Sequence, residues 1–171
     1  MDAFLAIASR REVRAYADRS LPADVQRRLL DAGRVSGSSA NRQQWRFVVV
    51  ESDEAKQRLS ETVYTPANVT GAPFVVAVVT YGKGATSFDA GRAAQNMMVA
   101  AWNEGVGSCP NGMPDRAATA TALGGLAEGE EPAIVLTFGY PAKPRQPEGR
   151  SADDWVAAAD RKPFDAVVSR V

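Results

Sequence analysis

Residues 36–50 read SGSSANRQQWRFVVV, so a polar loop runs directly into an apolar segment. The run Phe47–Val50 has no polar alternation, which predicts a buried strand over Trp45–Val50. The loop before it crowds hydroxyl and amide side chains into a few residues. Polar groups at the mouth of a buried strand commonly hold a ligand in α/β proteins. A solvated connection between a helix and a strand has the same composition, so this stretch alone leaves both interpretations open.

Beyond this stretch, apolar periodicity predicts further helices and strands. The longest predicted helix, residues 89–104 capped by Ser87, is apolar nearly all round, which indicates a central helix or one that a partner subunit covers. Two other buried strands are predicted at residues 73–81 and 133–140. Residues 64–72 and 105–114 are predicted to be loops. Three of the remaining helices are predicted at residues 2–8, 52–63 and 115–123. Another begins at Ser20–Pro22 and ends at about residue 33. The last begins with a capping box at Ser151 and ends before Pro163.

The bulk composition narrows the function. The chain has 171 residues, zero formal net charge and 45% hydrophobic residues, which predicts one soluble domain over residues 1–171. We expect no nucleic-acid or membrane partner and, by default, a cytoplasmic location. There is no histidine and a single cysteine, Cys109, so histidine-based triads and thiolate or imidazole metal sites are excluded. Any enzymatic chemistry would therefore come from a cofactor.

Two further segments are candidates for ligand binding. Three arginines lie within five residues at Arg10, Arg11 and Arg14, and guanidinium forks match phosphate oxygens well. A solvated basic turn that pairs with Glu12 and Asp18 would explain them equally well. Residues 105–114 contain three glycines and two prolines, which is typical of a bent loop with exposed backbone N–H groups. Such a loop either ends a helix or lets the backbone approach a flat ligand.

Taken in order, these segments resemble the FMN-dependent nitroreductase family. The basic box RREVRAY is similar to the family's Arg-x-Ser-x-Arg-x-Phe pattern, and SSANRQQWRF is similar to its Ser-x-Asn-x-Gln-Pro-Trp motif. The helix GRAAQNMMVAA with the following GVGSC resembles the core helix and the loop beside the flavin ring. The strand that ends in GYP and the late RKPF also follow in the expected order. The resemblance spans nearly the whole chain: residues 10–16, 38–47, 91–101, 105–109, 133–141 and 161–164.

The resemblance implies an α+β fold with three α-β-α layers, a central mixed and mainly antiparallel sheet, and an intertwined homodimer with FMN at the interface. It also implies roles for individual residues. The FMN phosphate and ribityl chain would be held by Arg10, Arg11 and Arg14, with Arg161 or Lys162. The flavin of the other subunit would be reached by Ser38, Ser39, Asn41 and Gln43. The backbone at Pro110, Asn111 and Gly112 would lie against the flavin ring, with one N–H toward N5.

The implied activity is that of an oxidoreductase in which NADH or NADPH reduces FMN and a nitroaromatic, quinone or similar small-molecule acceptor then takes the electrons. We therefore expect ping-pong kinetics, and a site that uses neither a catalytic side chain nor a metal ion. Two alternatives stay open. One is a specialised member of the same fold that removes a halogen reductively or modifies the flavin, and the other is a flavin-binding module without catalysis.

Three departures from the family pattern bear on the substrate. Glu12 stands where serine is common, and Gln44 replaces the frequent proline. The connection between the strand at 73–81 and the helix at 89–104 is short, whereas larger relatives carry a helical lid there. We therefore expect a site that is open, or one that the loop from Tyr64 to Gly71 covers.

Overall fold

The structure is a computed structural model that describes residues 1–171. Contacts divide the chain into two compact units, one of residues 11–145 and one of residues 1–10 with 146–171. The larger unit contains the sheet, and the smaller unit contains the two ends of the chain. The expectation of a single domain stays a prediction.

A four-stranded sheet forms the centre of the larger unit. Its strands are β1 (Trp45–Val50), β2 (Phe74–Tyr81), β3 (Gly107–Asn111) and β4 (Glu130–Gly139), in the order β1-β2-β4-β3. All three neighbouring pairs are antiparallel, and the one parallel contact is an isolated bridge between Glu12 and Ser108. This confirms the mainly antiparallel sheet and the three strands that apolar runs predicted.

Helices cover both faces of the sheet, as the three-layer prediction requires. On one face, α2 (Ala23–Arg34) and α5 (Thr86–Asn103) pack against Val76 and Val78 of β2 through side chains such as Leu29 and Met97. On the other face, α3 (Asp53–Ser60) and α4 (Pro66–Thr70) pack against Val75 and Ala77, and α6 (Arg116–Ala122) contacts β4. The residues of β2 from Val75 to Val79 are fully buried, and burying each of the valines stabilises the fold by about 1.5–3 kcal/mol.

Four predictions about local structure were wrong. Residues 105–114 are not all loop, because β3 forms within them; Pro110 is tolerated because β3 is an edge strand and needs ladder donors on one side only. The predicted loop at 64–72 contains α4, which begins at Pro66. Neither Ser20 nor Ser87 caps a helix: α2 begins after Pro22, and α5 begins at Thr86 without a side-chain cap.

The smaller unit consists of two short helices and two 3₁₀ turns. In it, α1 (Ala3–Ser9) packs against α7 (Ala152–Ala157). Asp2 caps α1, and Ser151 with Asp154 forms the predicted capping box of α7. Trp155 Nε1 donates a hydrogen bond to the Pro147 carbonyl at 2.7 Å. Across the whole chain, no helix combines the length and the apolar character needed to cross a bilayer.

Candidate functional site

The first half of the polar loop is held against α5. Ser39 N–H donates to Asp89 Oδ2 at 2.9 Å, and Asn96 Nδ2 donates to Ser36 Oγ at 2.8 Å. Gly37 lies so close to the guanidinium of Arg92 that a side chain at position 37 would collide with it. The three α5 residues are spaced by three and four positions, so they share one face of the helix. One face of α5 therefore fixes residues 36–39.

The second half of the loop is held by the end of β2. Tyr81 N–H donates to the Gln44 carbonyl at 3.3 Å, and Tyr81 OH donates to the Gln43 carbonyl at 3.2 Å. Gln43 N–H in turn donates to Ser38 Oγ at 2.9 Å. These bonds join the two halves of the loop. Ser39, Asn41 and Gln43 are exposed, and Gln43 Nε2 donates to the Asn41 carbonyl at 3.3 Å.

The backbone of this loop is unusual. Ala40, Asn41 and Gln43 have φ values of 50°, 53° and 52°, and the only other non-glycine residue with positive φ is Asp160. A left-handed conformation costs an L-residue about 1–2 kcal/mol. Such residues cluster where a binding or active site needs a particular backbone shape. Three such residues within four positions distinguish this loop from the other connections of the chain.

The basic box forms a short ladder with the segment after β4. Ala17 N–H donates to the Tyr140 carbonyl at 2.8 Å, and Ala142 N–H donates to the Ala15 carbonyl at 3.0 Å. This brings the exposed Arg14 to the wall of a cavity of about 290 Å³ whose other charged residues are Glu12, Lys143 and Arg145. The sequence analysis gave Lys143 and Arg145 no role, because neither belongs to a recognisable motif. The cavity carries three cationic groups and one carboxylate.

Asn111, one of the predicted flavin contacts, directs its side chain into the core. Its Nδ2 donates to the Cys109 carbonyl at 3.0 Å and to Thr137 Oγ1 at 3.3 Å, while its Oδ1 accepts from Asn68 Nδ2 at 2.8 Å. Tyr16 extends this network through an oxygen–oxygen contact of 2.9 Å with Thr137, and burial raises the pKa of Tyr16. The tyrosine therefore stays neutral, and Asn111 offers a ligand only its backbone.

Gly112 and Tyr64 form the rim beside β3. The Gly112 carbonyl accepts from Tyr64 N–H at 3.1 Å. A Cβ at position 112 would lie 3.2 Å from the Tyr64 ring, so that ring packs directly against the backbone at Gly112. The Tyr64 side chain is exposed (74%), and the covering role of the loop that it begins stays a prediction. Sequence reasoning named that loop but gave Tyr64 no role of its own.

Three of the predicted residues belong to the smaller unit. Arg10 is the C-cap residue of α1, and the exposed residues Arg161 and Lys162 follow α7. Arg161 Nη1 donates to the carbonyl of Ala159 at 3.1 Å. Their assignment to the phosphate stays a prediction, and Arg11 and Arg14 are the predicted phosphate residues within the larger unit.

The residues of the larger unit fit FMN chemically. Guanidinium and ammonium groups around the cavity at Arg14 suit a doubly charged phosphate. Hydroxyl and amide groups on the loop of residues 38–43 suit the oxygen and nitrogen atoms at the edge of a flavin ring. Gly112 has no side chain, so a flat ring can approach the backbone there once the exposed Tyr64 ring moves aside.

Comparison with known proteins identifies the family. The model of the nitroreductase family matches residues 7–82 and 64–140. A Methanothermobacter thermautotrophicus protein with the name "Putative NADH dehydrogenase/NAD(P)H nitroreductase" is 30% identical over 84% of this chain and 79% of its own.

Solved structures of this family share the fold. The crystal structure of a nitroreductase family protein from Clostridium difficile 630 has 25% identity and a TM-score of 0.83 over 99% of this chain and 98% of its own. A protein from Clostridium difficile R20291 named FMN-dependent nitroreductase matches at a TM-score of 0.77 with 21% identity, over 85% of this chain and 90% of its own. The chain belongs to the nitroreductase family.

Proposed function

We propose that the protein is an FMN-dependent oxidoreductase that uses NADH or NADPH to reduce nitroaromatics, quinones or similar small acceptors. The observation that carries the proposal is the loop at residues 38–43. It has three left-handed residues, it is held from α5 and from Tyr81, and its residues Ser39, Asn41 and Gln43 are exposed. Family membership and the names of the relatives support the same activity.

In this proposal each segment has one task. Arg11 and Arg14 bind the phosphate, with Arg10, Arg161 and Lys162 as the further predicted contacts. Ser38, Ser39, Asn41 and Gln43 orient the ring, and the backbone at Pro110, Asn111 and Gly112 lies against it. When bound, FMN would supply the redox chemistry that connects the nicotinamide to the acceptor.

We also propose a homodimer in which the polar loop serves the FMN of the neighbouring subunit. Phe88 supports this arrangement because its ring is exposed (68%) on α5, beside an open groove of about 580 Å³ that Arg92 and Asn96 also line. The ring offers a partner subunit apolar surface to bury. A monomer would then hold only half of each site.

Initial-velocity kinetics test the activity. The protein, supplied with FMN, is assayed with varied NADPH or NADH at several fixed concentrations of a quinone. Parallel double-reciprocal lines are expected, because nicotinamide and acceptor use the same face of the flavin in turn. Intersecting lines would contradict the ping-pong proposal. A bound flavin that neither NADH nor NADPH reduces anaerobically would instead favour a specialised reaction, for which Glu12 in the basic cavity is the supporting observation.

A further inference from the structure

Asp89 is the only charged residue among the buried residues of the chain, with 5% of its surface exposed. A buried carboxylate is destabilising unless hydrogen bonds or a cation compensate it. Asp89 has both kinds of partner: Ser39 N–H lies 2.9 Å from Oδ2, and Arg92 Nη1 lies 3.7 Å from Oδ1. The short contact is the one to the loop, fifty residues away along the chain.

The position of Asp89 in α5 does not explain its burial. An aspartate near a helix N-terminus usually caps the helix by accepting from its first N–H groups. Here the N-cap is Ala85, and no side chain makes a capping bond. The carboxylate turns instead toward Ser39, where the polar loop begins its 3₁₀ turn. Asp89 therefore serves the loop rather than its own helix.

The bond to Ser39 acts at the point where the loop needs an external constraint. Ala40, Asn41 and Gln43 follow immediately in left-handed conformations, which L-residues adopt only when their surroundings hold them. Tyr81 supplies the constraint at the far end of the loop, and Asp89 supplies it at the near end. Side chains on a backbone held at both ends are ordered before a ligand arrives, which strengthens binding.

We infer that Asp89 is a positioning residue for flavin binding: its carboxylate holds Ser39 N–H and so keeps residues 38–43 in the conformation that receives FMN. This inference rests on the proposed function, and it assigns to Asp89 no contact with the flavin itself. It predicts that the acceptor atom matters at position 89 and that the negative charge matters little.

The test measures FMN affinity of the apoprotein by quenching of flavin fluorescence, together with the visible circular dichroism of the bound flavin. Loss of the acceptor that holds Ser39 N–H predicts that Asp89→Ala weakens FMN binding about 10- to 100-fold and changes the dichroism. Asp89→Asn keeps an oxygen acceptor for Ser39 N–H, so it should restore affinity to within about threefold of the wild type. The control is Leu59→Val, which lies on the opposite face of the sheet and should lower the melting temperature without changing FMN affinity.

A second pair of variants removes the donor instead of the acceptor, and it serves even if Asp89→Ala does not fold. Ser39→Pro lacks the N–H, whereas Ser39→Ala keeps it, and the extended backbone of Ser38 tolerates a following proline. Ser39→Pro should bind FMN about tenfold more weakly than Ser39→Ala. Equal affinities of this pair, or wild-type affinity in Asp89→Ala, would overturn the inference. Failure of the wild type to bind FMN would overturn the proposed function instead, so the two failures are distinguishable.

Discussion

Arg46 and Glu130 form a two-pronged ion pair, with Nε 2.6 Å from Oε1 and Nη2 2.7 Å from Oε2. The pair joins β1 to β4 although β2 lies between them. Glu130 also accepts from Ala127 N–H at 3.0 Å. The hydrogen bonds from Arg46, with that from Ala127 second, lower the pKa of Glu130 from 4.5 to about 2. The ionised carboxylate of Glu130 thus links β4 to β1 across β2.

Glu130→Gln should therefore destabilise the protein in a pH-dependent way. Because the pKa of Glu130 is lower in the folded state, the stabilisation is fully present above about pH 4.5 and is lost as the pH falls toward 2. At pH 7 we expect the melting temperature to fall by about 2–4 °C. Glu131→Gln is the control, since its contact to Arg116 is longer (3.6 Å) and both side chains are exposed. An equal loss in the two variants at pH 7, or a loss in Glu130→Gln that persists at pH 2, would contradict this role.

Gly112→Ala should impair the site while leaving the fold intact. The added methyl group would lie 3.2 Å from the Tyr64 ring, and that exposed ring can move aside. The methyl group would also stand between the backbone and the flavin ring that we propose to lie against it, so FMN affinity should fall about tenfold, as measured by titration. Gly149→Ala is the matched control because its nearest contact is an ordinary 3.7 Å. Unchanged affinity in Gly112→Ala would remove the backbone at 110–112 from the flavin site.

Arg10→Ala combined with Arg14→Ala should give a folded protein that has lost its flavin. Each arginine that contacts a phosphate contributes a charge-assisted bond, so removal of both should weaken FMN binding at least about 100-fold. The control is Arg27→Ala with Arg34→Ala, two exposed arginines that share Asp31 on α2. Stoichiometric FMN in the first double variant, measured by absorbance after gel filtration, would show that the basic box does not bind the phosphate.

Asn111→Ala should cause the largest loss of stability among these variants. It removes the 2.8 Å acceptor of the buried Asn68 Nδ2, which keeps only a 3.8 Å contact to Cys109 Sγ. Thr137 Oγ1 loses one donor but keeps Tyr16 OH and the Cys109 carbonyl as partners. An unsatisfied buried group costs about 1–3 kcal/mol, so we expect a fall in the free energy of unfolding of about 2–4 kcal/mol by urea denaturation. Thr121→Ala, which removes an exposed bond to the Ala117 carbonyl, should cost less than about 0.5 kcal/mol. A small loss in Asn111→Ala would mean that water or a rearrangement replaces the network.

The sequence predicted the parts of the fold that depend on local pattern. Apolar runs located β1, β2 and β4, because strands buried on both faces have no polar alternation. β3 was missed because Gly107 and Pro110 are strand breakers in general, and only its place at the sheet edge makes them acceptable. α4 has five residues, too few to show helical periodicity.

The candidate site was predictable to a similar extent. The polar loop and the basic box were visible as composition, whereas their contacts with α5, with Tyr81 and with the segment after β4 were not. The roles of Asp89 and Tyr64 depend on contacts with residues fifty and forty-eight positions away, at Ser39 and Gly112. Position 89 carried only a local helix-start signal, and position 64 carried none. Long-range contacts of this kind leave no mark in a single sequence.

The central claim is that the chain binds FMN and that a nicotinamide reduces it. The most direct measurement is the absorbance spectrum of the protein after incubation with FMN and removal of the free flavin, recorded before and after anaerobic addition of NADPH or NADH. The account predicts a yellow protein with one FMN per chain whose flavin absorbance bleaches on reduction. A protein that stays colourless after incubation with excess FMN would contradict it.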